Sequence, residues 1–428
     1  MATEARMFQD PAVRAAIRFL EELTADYRDN DFAVRLWDGT EWRVGHQPRF
    51  TLALKHLGAL RSMFTSPSEL TLGEAFIFDD FDVEGDLESA FDFADFLLLR
   101  DWPVTGKMGL GSLLARLPAA RGPDKGRQGA DLSGTAHSKK RDRRAVTYHY
   151  DVSNDFYTLW LDRAMVYSCA FFKSSSDGLD TAQAQKLDYL CRKLRLRPGD
   201  RMLDLGCGWG SLLMHAARNY GVHAYGITLS VPQAELARER IREAGLADLC
   251  KIEVCDYRDL PRQEFDKLVS VGMFEHVGEA LLPEYFRRAW GLLRPGGVFL
   301  NHGIAVSATF RRHGPSFMDK YVFPDGELVP INVTLRTAEA CGFEVRDVEG
   351  LREHYALTLR RWVRRLEENA PQARSIVGET AYRTWRLYMS GSAHAFATGR
   401  LNLYQVLLSK PEDGDSHLPL TREDWYAY

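Results

Sequence analysis

The run Asp204-Leu205-Gly206-Cys207-Gly208-Trp209-Gly210 constrains this chain more than any other stretch of it. Arg201 to Leu205 reads as a strand, and Ser211 to Asn219 has the pattern of a helix. Glycines at alternate positions between a strand and a helix let the backbone turn tightly and approach a ligand closely. The alternation continues down the chain. Val222 to Ile227 reads as a strand, Val231 to Ala244 as a helix, and Lys251 to Val254, Phe265 to Ser270 and Gly297 to Asn301 as further strands. Such a pattern predicts an α/β fold with a doubly wound, mostly parallel sheet.

The glycine spacing narrows the ligand. A hydride-transfer enzyme normally needs GxGxxG, which seats a pyrophosphate on the helix N-terminus. Here the spacing is GxGxG, and an acid, Asp204, stands ahead of Gly206 and Gly208. S-adenosylmethionine has no phosphate. Its amino-acid end offers an ammonium and a carboxylate, which suit a carboxylate and backbone groups. Many methyltransferases place an acid after the second strand for the ribose hydroxyls. This chain has Thr228-Leu229 there, with Gln233 one helical turn on, and a hydroxyl and an amide can make the same hydrogen bonds. Asp256 and Tyr257 follow the third strand, where an acid can accept from the adenine amine while a ring packs on its face. The expected core is therefore a class I methyltransferase sheet.

At 428 residues the chain has room for two or three domains. Residues 1–105 open on a helical pattern (Val13, Ile17, Leu20, Leu23), then alternate from Phe32 to Trp37 before a turn at Asp38-Gly39. They predict a small N-terminal α+β domain. Residues 106–145 carry ten Lys or Arg against three Asp and read as a flexible basic linker. It is either simply solvated or a strip that touches anionic headgroups, where each basic residue adds ~1 kcal/mol. Residues 146–410 form the catalytic domain, with helical additions around Tyr382 to Met389 and His394 to Phe396 over an acyl pocket. Residues 411–428 form a tail whose aromatics suit docking.

A net charge of −4 argues against bulk nucleic-acid binding. Six cysteines without a CxxC pair, and no apolar leader, predict a reducing, cytoplasmic setting. No run of ~18 apolar residues occurs, so any lipid contact is expected to be peripheral. Glu275-His276 follows a strand, but two ligands without fitting partners do not make a metal site, and none is expected.

Several longer motifs resemble the cyclopropane-fatty-acyl-phospholipid synthase family: His149-Tyr150-Asp151 with Asn154-Asp155, Tyr167-Ser168-Cys169-Ala170, Asp204 to Gly210, and Thr228-Leu229-Ser230. Phe274-Glu275-His276-Val277-Gly278, Asn301-His302-Gly303-Ile304, Lys320 to Pro324 and His354 to Leu359 continue the likeness. The resemblance covers nearly the whole chain, and the 140 residues ahead of His149 favour its phospholipid branch. It implies transfer of a carbon from S-adenosylmethionine to the cis double bond of an unsaturated phospholipid acyl chain, through a carbocation deprotonated by bound bicarbonate. The bicarbonate ligands carry over to Cys169, Glu275, His302, Ile304 (through its backbone) and Tyr355. The cofactor contacts carry over to Tyr167, Ser168, Gly206, Gly208, Thr228, Leu229, Gln233, Asp256 and Tyr257. It also implies peripheral association with the inner face of the membrane, and lipid access and dimerisation for the first domain. Phe171, Phe172, Phe274, Tyr321 and Phe323 are expected to keep the reaction dry, or else are core packing. A methylene- or methyl-branched product stays open, as do a small-molecule methyltransferase and a non-catalytic lipid-binding scaffold.

Overall fold

The computed structural model describes residues 10–118 (without 30, 46 and 102), 129, 134–135, 137–150, 152–309 and 316–426. The expected contacts of Asp151, and the glycine-rich centre of the linker at 121–128, lie outside the described residues. The chain forms two compact units.

The first unit takes Met1–Gly129 and receives two later segments, Arg312–Val322 and Val377–His394. Its sheet holds β1 (Phe32–Arg35), β2 (Glu41–Val44), β3 (Phe50–Leu54) and β4 (Phe81–Gly85) in the order β2-β1-β3-β4. The β1–β2 turn falls at Asp38-Gly39 as read from the sequence, with the Asp38 carboxylate accepting from the Thr40 N–H at 2.9 Å. Phe32 stacks on Phe50 at 5.4 Å and meets Phe93 of the Leu87–Leu99 helix at 4.5 Å, which ties sheet to helix. The segment Val377–His394 is held here by Arg383. Its buried guanidinium donates to the Phe76 carbonyl at 2.7 Å and the Phe81 carbonyl at 2.6 Å, and pairs with Asp82 at 3.2 Å. The helix Ala370–Ala397 leaves helical geometry at Gly378 (φ 78°), the point where the chain passes into this unit. Tyr382 to Met389 thus belongs with the N-terminal fold rather than with the catalytic sheet, a return that no local sequence pattern reveals.

The second unit takes Ala130–Arg311, Phe323–Ile376 and Ala395–Tyr428. It contains β5 (Arg201–Leu205), β6 (His223–Thr228), β7 (Cys250–Val254), β8 (Phe265–Val271), β9 (Leu293–Val306), β10 (Glu344–Gly350) and β11 (Leu401–Ser409). Their order is β10-β11-β9-β8-β5-β6-β7. The strands from β9 to β7 run parallel, and β11 is inserted antiparallel between β9 and β10. β5 is central, with the chain passing to β6 and β7 on one side and to β8 and β9 on the other. A crevice opens beyond the strand ends at such a switch point, and open α/β sheets place their ligands there.

The basic stretch is also more ordered than a linker. Lys139–Tyr150 is a helix of the second unit. Lys139 pairs with Asp259, and Arg141 binds Asp325, with one bond at 2.7 Å. Arg258 donates to Asp142 at 2.8 Å. Two of the cations read as available to lipid are thus bonded within the protein's own fold.

Removing one partner of a buried, hydrogen-bonded charge costs about 3–5 kcal/mol. Arg383→Met is expected to lower amide-exchange protection in peptides covering β3, β4 and 377–394, leaving β5 and β6 protected as in the parent. Hydrogen-exchange mass spectrometry checks this.

Candidate active site

β5 delivers the cofactor loop. Gly206 has φ +103°, a backbone geometry that favours glycine, and a Cβ there would stand 2.9 Å from the Met273 Cβ. The N–H groups of Gly206 and Cys207 both bond the Ile227 carbonyl, at 3.0 and 2.9 Å, folding the loop back over the end of β6. Asp204, Gly206, Gly208, Thr228, Leu229, Gln233, Asp256 and Tyr257 all line one pocket, together with Tyr167 and Ser168. Every residue expected at the cofactor is thus brought to one cavity.

The local bonds show how each is held. The Thr228 hydroxyl donates to the Gln233 Oε1 at 3.0 Å, which leaves the amide's N–H groups for a ligand. Ser230 caps the Val231–Glu243 helix that carries Gln233. Asp256 is clamped by Arg258, whose Nε and backbone N–H donate to one carboxylate oxygen at 2.8 and 2.9 Å and whose Nη2 donates to the other at 2.6 Å. Those bonds hold its carboxyl below the usual range despite burial, so Asp256 stays a charged acceptor. The Tyr257 hydroxyl is buried with no hydrogen-bond partner. Tyr150 of the His149–Asn154 motif lines the pocket, and its neighbours brace other lining residues. His149 Nε2 meets the Tyr167 hydroxyl at 3.1 Å, and Trp209 Nε1 donates to Asn154 at 2.8 Å.

Asp204 is the electrostatic centre of the pocket. Its side chain is buried, and its Oδ1 has no hydrogen-bond partner. Burial pushes its carboxyl up to about 7, with the Lys186 ammonium opposing the shift. An orphaned carboxylate oxygen beside a glycine loop fits the ammonium of S-adenosylmethionine, and the cradle lacks the phosphate seat of a dinucleotide.

The second cluster lies at the ends of β8 and β9. Glu275 follows β8 in the 3-10 turn Phe274–His276, and its Oε1 accepts the Ile304 N–H at 2.7 Å. Its Oε2 is buried with no partner, and burial pushes the carboxyl up to about 7. His302 lies two residues before Ile304 on β9, on the same face. Burial, with the Lys186 and Lys193 charges, pulls its imidazole down to about 3, so it is neutral at physiological pH. Its Nδ1 meets the Gln405 Nε2 at 3.1 Å. With the amide in this orientation the amide donates, so the ring proton sits on Nε2, which is buried and unbonded.

Cys169 and Tyr355 are both linked to Leu351, and through it to β11. The Cys169 thiol reaches the Ala170 and Leu351 carbonyls at 3.2 and 3.9 Å. The Tyr355 N–H bonds the Leu351 carbonyl at 3.2 Å, and the Leu351 N–H bonds Leu403, the β11 partner of Ile304. Burial pushes the Cys169 thiol far up, which keeps it protonated and rules against a nucleophilic role. Glu275 and His276 diverge. His276 turns to the Tyr150 hydroxyl at 3.5 Å, and burial pulls it down to about 4.

The expected aromatic lining divides. Phe274 is buried against Tyr285, and Phe323 meets His149 at 4.0 Å. Phe171 and Phe172 instead pack on His354, and Arg361 covers Phe172. Tyr321 belongs to the first unit, where its hydroxyl donates to Glu74 at 2.8 Å. Two residues were not singled out from the sequence. They are Gln405, on the apolar strand β11, and Lys186, on the Leu179–Leu194 helix.

The family model described as mycolic acid cyclopropane synthetase matches residues 137–406, and one described only as a domain of unknown function matches 19–94. A Pseudomonas putida protein named probable fatty acid methyltransferase is 43% identical over 92% of this chain and 95% of its own. The cyclopropane-fatty-acyl-phospholipid synthase of Escherichia coli (strain K12) is 38% identical over 64% of this chain and 69% of its own. Among solved structures, mycolic acid cyclopropane synthase CmaA1 complexed with SAH and CTAB superposes with a TM-score of 0.60. It is 33% identical and covers 62% of this chain and 97% of its own. Fold, pocket and relatives together define an S-adenosylmethionine-dependent methyltransferase of class I. Within that class, the chain belongs to the mycolic acid cyclopropane synthetase family.

A carboxyl whose folded-state pKa is raised contributes stability that is present below its unfolded value of about 3.9 and lost as pH rises through about 7. At pH 8 the empty pocket therefore carries a buried, unsatisfied charge at Asp204. Asp204→Asn is expected to melt ~2–6 °C above the parent at pH 8, with the gap closing as pH falls below 7. It should also bind S-adenosylhomocysteine ~10–100-fold more weakly at pH 8, the worth of one charged hydrogen bond. Scanning fluorimetry across pH and calorimetry read the two effects.

Proposed function

We propose that this enzyme transfers a carbon from S-adenosylmethionine to the cis double bond of an unsaturated phospholipid acyl chain and closes a cyclopropane ring. The observation that carries the reading is the two buried, unbonded atoms Glu275 Oε2 and His302 Nε2, an acceptor between the pocket-lining Met273 and His276 and a donor on the adjacent strand β9. An acceptor and a donor placed this way suit a small anion that can take up a proton. Ring closure at carbon requires that proton to be lost.

When bound, S-adenosylmethionine supplies an electrophilic methyl on a sulfonium, and bicarbonate supplies a base. The residues fit both. Asp204, Gly206, Gly208, Thr228, Gln233, Asp256 and Tyr257 would hold the cofactor. Glu275, His302, Cys169 and Tyr355 would hold bicarbonate, with the Ile304 N–H acting through the Glu275 carboxylate it bonds. Glu275 is oriented by the Ile304 N–H, so its free oxygen can accept a proton-bearing oxygen of the anion. The neutral His302 can donate from Nε2, and Gln405 keeps that proton in place. Cys169 stays a thiol and serves as a packing or hydrogen-bonding group.

An alkene is a weak nucleophile, so the protein's contribution is mostly orientation, which is worth ~7–11 kcal/mol in well-aligned cases. The rings of Phe274, which is buried, and Phe323, which is partly exposed, would help exclude water from a cationic intermediate and stabilise it by ~0.5–2 kcal/mol each. Substrate access through the first unit, dimerisation and peripheral contact with the inner membrane face complete the proposal. No helix among the described residues is long and apolar enough to cross a membrane.

A branched product is the second reading, favoured by the Pseudomonas putida relative, whose name specifies a fatty acid methyltransferase. The same carbocation would then lose a different proton.

Glu275→Gln and His302→Ala are expected to reduce turnover on dioleoyl-phospholipid vesicles at least ~100-fold, as removal of a preorganised donor or acceptor does. S-adenosylhomocysteine affinity should stay within about threefold. Parent-like turnover in either variant removes the ion site. Parallel loss of nucleoside binding assigns the residues to the cofactor instead.

A further inference from the structure

The Leu179–Leu194 helix brings a lysine into the cofactor pocket. Lys186 is 2% exposed, and its Nζ donates to the Ser168 hydroxyl at 2.9 Å. Ser168 lines the same cavity, and its carbonyl is fixed by Gln183, one turn earlier on the same helix, at 2.9 Å. The charged or ionisable groups facing Lys186 are Asp162, Asp204, Cys169 and Cys191, and its charge also reaches the imidazoles of His302 and His215. Asp162 gives its two oxygens to the Ala164 and Val166 N–H groups at 2.9 and 2.8 Å, and both thiols are held protonated by burial. Asp204 is the remaining carboxylate, with no hydrogen bond to its Oδ1.

A cation and an anion thus line one cavity without a direct hydrogen bond or ion pair between them. A buried ion without a close counter-ion is costly, which is why such groups sit where a ligand completes them. The cofactor's amino-acid end is itself a zwitterion, with its ammonium and carboxylate on one carbon. Its charges are the mirror of Asp204 and Lys186.

We propose that Lys186 is the group that reads the carboxylate of the cofactor's amino-acid end, directly or through the Ser168 hydroxyl it holds, while Asp204 takes the ammonium. The inference rests on the S-adenosylmethionine reading of the pocket and goes beyond it by assigning the zwitterion to an opposite-charge pair. Burial pulls the Lys186 ammonium down to about 8 and pushes Asp204 up to about 7, so each is near the edge of its charged range until a complementary charge arrives. The glycine loop would then fix the position of the amino acid, and the pair would fix which way round it lies. Orientation at that carbon sets where the methyl points.

The test compares ligands with and without the amino-acid end. Calorimetry on the full chain measures S-adenosylhomocysteine, which carries the zwitterion, and 5′-methylthioadenosine, which keeps the nucleoside and sulfur but lacks it. Lys186→Met is expected to weaken S-adenosylhomocysteine ~10–100-fold and leave methylthioadenosine within about twofold. Lys186→Gln keeps a hydrogen bond for Ser168 without the charge, so it should show the same split and stands in if the Met variant does not fold. Equal loss of both ligands would make Lys186 a packing residue and overturn the proposal, as would no loss of either. The unmodified protein should prefer S-adenosylmethionine over its decarboxylated form at least ~10-fold, a preference that collapses in Lys186→Gln. Failure of the unmodified protein to bind either nucleoside would overturn the cofactor reading itself, a distinct result.

Discussion

The burial of ionisable groups at the carboxyl ends of β5, β8 and β9 is the constraint around which the second unit is organised. Asp204, Glu275 and His302 each keep one polar atom out of water and unbonded. Lys186 sits among them, close enough to shift both Asp204 and His302. Such groups lower stability in the empty protein, because neither solvent nor a partner satisfies them. What holds them is the sheet. Apolar residues on β5, such as Met202 and Leu203, are fully buried, and Val269 on β8 and Leu300 on β9 close around them. The rigid strands offset the cost of placing these groups out of water.

Two clusters share this frame and divide the labour. The loop after β5 and the ends of β6 and β7 handle a nucleoside, using glycine backbone, a Thr–Gln pair and an Asp clamped by Arg258. The ends of β8 and β9, backed by β11, carry the second cluster, to which we assign proton loss. The antiparallel insertion of β11 matters here, because its register sets Gln405 opposite His302 and Leu403 opposite Ile304. One strand thereby orients both the imidazole and the N–H that orients Glu275. A shift of that register by one residue would turn Gln405 to the other face of the sheet.

Much of this was legible in the sequence, and what was not has physical causes. β5 ends where the pattern places it, because an apolar run that stops at alternating glycines has one local solution. Thr228, Gln233, Asp256 and Tyr257 were legible because each follows directly from a strand end. Lys186 was not. It lies three residues from Gln183 and seven from Lys193, and the spacing alone cannot say that this face is buried rather than wet. Gln405 was hidden because its importance depends on a strand pairing about a hundred residues distant in sequence. Tyr321 and the segment 377–394 were placed with the catalytic sheet by proximity in sequence, whereas the chain returns twice to the first unit through contacts such as Tyr321–Glu74 and Arg383–Phe76. The basic run from Lys139 looked like a linker because acids at Asp259 and Asp325, far along the chain, bind Lys139 and Arg141.

The central claim is carbon transfer to an alkene with loss of a proton from the transferred carbon. It is tested most directly by incubating the protein with dioleoyl-phospholipid vesicles and S-adenosylmethionine carrying ¹³C in its methyl group, then recording carbon–proton correlation spectra of the extracted lipid. The account predicts the label in a ring CH₂, with two inequivalent protons at very high field. Label in a CH₃ or in an alkene CH₂ would contradict ring closure, and label absent from the lipid would contradict the account of the site.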